Sequence, residues 1–467
     1  MKNKEIINEY FDLTQSQLMI WIGQRLKPTV PLYNEALIWQ LEGPIDENCF
    51  RQAFQKLVDL SQSMRLTFIE FDGQPKQQVV SNLGYQVEIL DWSDRAVSQK
   101  DILDWASLQT QKIFDLSKCL FESILIKISE DRYIWYFNEH HLITDSWTQS
   151  LLFKRLSNLY ESIKNGDRSE YDHFHDYSTF LDFERNQAKY SNRLKIENYW
   201  KEKVSRKQLR TIYGIPTRSS STESKRISLT LSSDISGRIR QLADSKEART
   251  WSKDLSIFNI FSALLFTFLH RVSGEDKITM GSPIHNRPSK SLKETTGMFI
   301  EIFPLTADLS DKKMFCDLIA EVRAETTEFI KNAVPGVSQP DWSKAYNVIL
   351  NYMNMSFEDF SGIPCETTWI HSNHIDTSHI LRLQVHDFNS SGKFQLHFDL
   401  NMGIFSNYQI ETIPVHFVAL LDAFLDNPNQ ALGQPPLVAL KKLKKSARSF
   451  PDLYKKSVID LIAQQAI

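Results

Sequence analysis

The chain of 467 residues carries 54 Lys and Arg against 57 Asp and Glu, a formal net charge of −3, with 42% hydrophobic residues. Such a length buries a large core without disulfide or metal staples, and at roughly 150 residues per unit it makes about three small units or two larger lobes. The near balance of charge, with no clear Lys/Arg excess on a domain, argues against a nucleic-acid binder, which neutralises many phosphates with such an excess.

The N-terminal MKNKEIINEYFDLTQSQ is charged where a signal peptide needs an apolar core. Between Asp46 and Leu60, the apolar residues Phe50, Ala53, Phe54, Leu57 and Val58 recur at helical spacing behind a candidate N-cap, Asp46. From Phe121 to Asn138, FESILIKI and RYIWYFN flank the polar SEDR, which predicts two strands joined by a tight turn. HHLITD ends the second strand, and helical spacing resumes with Trp147, Leu151, Leu152, Leu156, Leu159 and Tyr160. The histidines therefore fall at a strand-to-helix junction, facing the positive end of a helix dipole.

Residues 166–225 are polar, with helical stretches YSTFLDFERNQ and ENYWKEKV followed by TRSSSTESK, and here the chain is expected to cross between lobes. The second lobe opens with ISLTLSSDIS, the apolar helix FNIFSALLFTFL and the strand-like KITMGSPI. The apolar run Ile257 to Leu269 reads as too short to span a bilayer. After Pro436, LKKLKKSAR and PDLYKKSVIDLIAQQAI read as a basic linker and an amphipathic helix of something further. Strands and helices alternate throughout without a short repeat, which predicts a mixed α/β class. The cysteines Cys49, Cys119, Cys316 and Cys365 stand far apart without CxxC or zinc-finger spacing, so they read as thiols of a reducing compartment. No membrane and no nucleic acid are expected as partners, and the expected location is the cytoplasm.

The chemistry concentrates in HHLITDSW: His140, His141, Asp145, Ser146 and Trp147. A histidine needs only a modest environmental shift to act as a base near neutral pH, although a pair of strand-end histidines also occurs for packing alone. Asp145 reads either as the N-cap of the following helix or as a buried acid needing a cationic partner. His371, His374, His379 and His386 cluster in IHSNHIDTSHILRLQVH, but spacings of three, five and seven aim no pair of rings together on a helix or a strand. They read as surface or supporting histidines, one of them a candidate to line a tunnel, and no metal site is expected.

HHLITDSW resembles the HHxxxDG signature of nonribosomal peptide synthetase condensation domains, in the chloramphenicol acetyltransferase-like superfamily. LTQSQLMIW with PLYN is similar to the family's opening segment, and MRLTF with FDGQPKQQV to its second motif. DYSTFLDFERNQ and ENYWKEK are similar to the stretch after the active-site helix. GSPIHNRP matches GxPxxNR, GMFIEIFPL matches GxFVNxLPL, and FDLNMGIF resembles the final block. The matches run in order from about residue 11 to 440.

The resemblance implies two acetyltransferase-like lobes, residues 1–185 and 186–440, forming a V-shaped pseudodimer with a central tunnel. Residues 441–467 would be a linker and the start of an adenylation domain. Upstream donor and downstream acceptor peptidyl carrier proteins would present phosphopantetheine arms, so the chain itself would bind no cofactor. The acceptor's amine would attack the donor's acyl thioester to form an amide. By position His141 is the catalytic residue, as base or as the group that orients the amine, while His140 supports the loop. Asp145 would pair bidentately with Arg287, and Trp147, Asn286, Gly297 and Arg65 would lie along the tunnel or an interface.

Departures are equally plain. Ser146 stands in place of glycine, Glu301 in place of asparagine and Thr306 in place of arginine, and LSQSMRLTF keeps Arg65 but lacks the His-Glu pair. The histidines exclude the aspartates of heterocyclization domains, and Trp147 directly after Ser146 favours condensation over epimerization. Two other functions are compatible: an ester-forming or otherwise specialised acyltransferase, and a catalytically silent platform that recruits a partner to a carrier protein.

Overall fold

The computed structural model describes residues 10–167, 174–187 and 193–438. The expected amphipathic helix is Glu47–Leu60, and the Asp46 carboxylate caps it by accepting from the Cys49 amide at 2.9 Å. Its apolar stripe packs under a five-stranded sheet. That sheet is ordered Cys365–Ile370, Asn34–Leu41, Arg132–His140, Phe121–Ser129, Glu88–Asp91. The expected hairpin supplies two adjacent strands of it, antiparallel from Phe121↔Glu139 to Ser129↔Arg132. Trp39 and Trp135 stack at 4.3 Å between centroids, and the Trp135 indole donates to Ser123 Oγ at 2.9 Å, so the one polar atom of that buried ring is satisfied.

The second sheet has six strands in the order Ser224–Thr230, Gln395–Asn401, Leu381–His386, Val348–Met353, Lys277–Ile284, Glu301–Asp308. Helix Lys253–Ser273 lies in its core with Ile260, Phe261, Leu264, Leu265 and Phe268 all buried. At 21 residues this helix is long and apolar enough to cross a membrane, which corrects the reading of its apolar run as too short. The helix is nonetheless packed inside the lobe, as a helix apolar all round is in a large core.

The second half of the chain contributes to both sheets. Strand Cys365–Ile370 pairs antiparallel with Asn34–Leu41, from Cys365↔Leu41 to Ile370↔Ala36, and Phe357, Phe360 and Phe388 sit in the first core. Helix Ser178–Gln187 buries Phe180 and Leu181 in that first core, whereas helix Arg193–Val204 buries Trp200 in the second. TRSSSTESK is tied down: Thr222 Oγ1 meets His374 at 3.1 Å and Ser224 Oγ meets His371 at 2.8 Å. The expected linker and adenylation start at 441–467 lie outside the described residues.

Candidate active site

The motif strand Arg132–His140 ends in a turn, and helix Ser146–Lys164 begins with Asp145 as its N-cap, accepting from the Thr148 amide at 2.8 Å. The turn is fixed through its backbone. His141 N–H donates to the Tyr33 carbonyl at 2.8 Å, and His140 N–H to the Leu120 carbonyl at 2.8 Å.

Two adjacent histidines come out with opposite chemistry. His140 is buried, its Nδ1 accepts from the Leu142 amide at 3.2 Å, and its Nε2 faces Gln24 Oε1 at 3.3 Å. Burial pushes its pKa down to about 3, so it is a neutral ring with both nitrogens engaged. His141 is only half-buried, and its Nδ1 lies 2.7 Å from the Thr144 carbonyl. A carbonyl only accepts, so Nδ1 carries a hydrogen, and in the neutral ring the lone pair is on Nε2. His141 lines a cavity of about 420 Å³ together with Ser146 and Gln149. The lining also takes Met298, Glu301, Trp342, Trp369 and Arg382 from the second half.

Asp145 fills both of the roles the sequence left open, cap and ion-pair partner. Arg287 Nη2 donates to Asp145 Oδ1 at 3.0 Å and Oδ2 at 3.1 Å, with both side chains fully buried. The expected two-nitrogen fork is therefore corrected: one nitrogen spans both oxygens. The other, Nη1, donates to the carbonyls of Leu292 and Thr295, and the guanidinium lies 3.7 Å over the Phe299 ring. Asp145 Oδ2 also accepts from the Phe299 amide at 3.1 Å. Thr148 completes the junction, its Oγ1 donating to the Gly297 carbonyl at 2.7 Å and accepting from the Gly297 amide at 3.0 Å. A motif from the first half is thus pinned to two segments of the second by charge-assisted bonds.

Gly297 has φ 142°, and a Cβ there would fall 2.3 Å from the Tyr177 ring, so close approach explains the glycine. Asn286 is at φ 45°, and its Nδ2 donates to the Phe299 carbonyl and to Glu301 Oε1, both at 3.0 Å. Trp147 Nε1 donates to the Lys293 carbonyl at 2.9 Å, which places it at the seam between the halves rather than among the residues lining the cavity. Arg65, expected along the tunnel or an interface, is not among the residues lining the cavity. Its Nε and Nη1 bond the carbonyls of Val58 and Val80, tying the end of helix Glu47–Leu60 to the strand Gln74–Val79.

Among the described residues no group of His, Cys, Asp and Glu could hold a metal ion. Of the clustered histidines, His371 and His374 are partly buried in the connection after strand Cys365–Ile370, while His379 and His386 are buried. His386 and His397 are buried with their Nε2 atoms 2.8 Å apart, and His379 lines the cavity beside Arg382. Sequence reasoning missed Tyr33, Thr144 and Thr148, which act through backbone groups or a single hydroxyl. Their only signal was proximity to PLYN and HHLITD.

The condensation domain family matches residues 7–445. The chain belongs to that family. It is 24% identical over 454 residues to a linear gramicidin synthase polypeptide of Brevibacillus parabrevis, covering 91% of this chain and 8% of that protein. It is 21% identical over 474 residues to the dimodular nonribosomal peptide synthase of Bacillus subtilis (strain 168), covering 98% of this chain and 19% of that one. The chain thus spans a small part of these relatives' length. In fold it matches the first condensation domain of the calcium-dependent antibiotic synthetase with TM-score 0.80, at 16% identity, over 92% of this chain and all of that one. A starter condensation domain of rhizomide synthetase in complex with C8-CoA gives 0.78 at 20% identity, covering 91% and 97%.

Against this family the departures acquire locations. Ser146 puts a side chain into the cavity beside His141. Glu301 is buried and accepts from the Gly336 amide at 2.7 Å and the Ser338 amide at 3.2 Å, with burial raising its carboxyl pKa. Thr306 bonds Glu325, which pairs with Lys203 at 2.7 Å, so it sits in a network that does not line the cavity.

Proposed function

We propose that the chain is a working condensation domain, joining a donor acyl or peptidyl thioester on an upstream carrier to the amine of an aminoacyl thioester on a downstream carrier. The observation that carries this is His141: its Nδ1 is committed to a carbonyl and its Nε2 is left basic in a cavity built from both halves. The amine nitrogen attacks the thioester carbonyl carbon while Nε2 orients it and takes its proton. The tetrahedral oxyanion collapses, the C–S bond breaks, and the departing thiolate takes a proton as the amide forms. Ser146, first residue of the motif helix, supplies the backbone amide placed by sequence to meet the oxyanion.

In this reading residues 1–185 and 186–440 form the two arms of the V, and the pantetheine arms enter the cavity from opposite sides. No cofactor belongs to the chain. The carriers and an adjacent adenylation domain are its partners, in the cytoplasm. The intact pair of histidines supports an enzyme over a silent platform.

Intact-protein mass spectrometry of loaded donor and acceptor carriers tests the reading. Wild type is expected to move the acyl mass from donor to acceptor in one turnover. Carrier binding without transfer would overturn it.

A further inference from the structure

Directly before the two histidines stands Glu139, a fully buried carboxyl that the reaction above does not use. Its cross-strand partner is Glu35 on one side and the uncharged Phe121 on the other. The remaining charged group acting on it is Asp145 at the head of the motif helix, and Gln149 of that helix lies beside it. Among the described residues no Lys or Arg pairs with it; the local guanidinium, Arg287, is spent on Asp145. Like charges facing each other across strands are destabilising, and a buried carboxyl without a cation is costly. Perturbed groups of this kind gather at functional sites.

A short chain of bonds joins Glu139 to the reacting ring. Thr144 is buried, and its hydroxyl donates to Glu139 Oε2 at 3.1 Å. The carbonyl of the same residue accepts the His141 Nδ1–H at 2.7 Å. The Gln149 side chain also bonds this carboxyl, so Glu139 is held jointly by the Thr144 hydroxyl and by Gln149 of the motif helix.

We propose that Glu139 is a positioning residue for His141: it anchors Thr144, whose carbonyl holds the imidazole in its Nδ1–H form, and its charge tunes how firmly Nε2 holds a proton. The inference rests on the reading of His141 as the group that receives the amine's proton. An ionised Glu139 favours the imidazolium, and a protonated one does not. Burial, with Asp145 and Glu35 adding to it, pushes the Glu139 carboxyl up to about 8, so the change falls near working pH.

The test is NMR of the full chain with carbon-labelled histidine rings, titrated from about pH 5.5 to 9.5 to span the histidine range and the Glu139 step. The His141 signal is assigned by its loss in His141→Ala. In wild type that signal is expected to follow two steps, its own titration and a second near pH 8. Glu139→Gln, which keeps the shape, should abolish the second step, and Thr144→Val, which removes only the hydroxyl link, should shrink it. Thr144→Ser should keep it. A single step in wild type, or a second step surviving in Glu139→Gln, overturns the inference. The readout needs no turnover, so it decides this point whether or not the chain transfers acyl groups. A wild type that transfers acyl groups yet shows one step sinks the role of Glu139 alone.

Discussion

Buried acids at two places along the seam between the halves are held in opposite ways. Asp145 meets Arg287, and every polar contact around it is charge-assisted. Glu184 and Glu301, also from opposite halves, form no ion pair among the described residues; Glu184 accepts from the Gln15 amide with Arg185 acting on it from further off, and Glu301 accepts from amides and Asn286. Burial raises both carboxyls, Glu184 to about 8 with Glu301 contributing. The seam at the motif is therefore locked by a charge pair, while the seam at Glu184 is held by groups that gain charge as pH rises. The first holds the start of the motif helix, and the second is expected to make the contact between halves pH-dependent.

Breaking the locked region should have the largest effect. Arg287→Ala leaves Asp145 buried without its cation, an expected loss of about 3–5 kcal/mol, read as a fall in melting temperature together with activity. Unchanged thermal stability would remove the pair from the account. Gly297→Ala drives a methyl into the Tyr177 ring at a backbone conformation that L residues avoid, for about 2–4 kcal/mol by denaturant titration.

The unpaired region gives a smaller effect with a pH signature. The folded chain holds the Glu184 proton up to about pH 8, whereas the unfolded chain releases it near ~4.3. In that window the native state binds more protons, so stability falls as pH rises. Glu184→Gln removes this loss. Its melting temperature should match wild type near pH 4 and exceed it by a margin that widens steadily toward pH 8. A pH-independent difference would show that the carboxyl does not titrate in this range. Smallest in stability is Ser146→Gly, under about 1 kcal/mol at a half-buried first helical position. For an enzyme it should change the rate of acyl transfer while leaving carrier affinity alone, and equal rates would show that the side chain is idle in the cavity.

The sequence carried the strand-to-helix junction because its periodicity is local: RYIWYFN reads as a strand and Leu152, Leu156 and Leu159 as a helix face without reference to the rest of the chain. The Asp145–Arg287 pair spans 142 residues and became legible only through the family's motifs, and even then its single-nitrogen geometry was not. Strand Cys365–Ile370 was invisible because pairing with Asn34–Leu41 is non-local and nothing in CETTWI names its partner. Tyr33 supports His141 through a main-chain carbonyl, a contact that any residue type provides. The bonds of Arg65 were not legible because a motif position says that a residue matters, not which carbonyls it will bind.

In the proposed reaction His141 Nε2, and not the buried His140, receives the proton of the attacking amine. Single-turnover rates of acyl transfer between loaded carriers, for wild type and His141→Ala at matched carrier affinity, test it most directly. The account predicts a loss of about 10²–10⁴. Transfer by His141→Ala at the wild-type rate would contradict it.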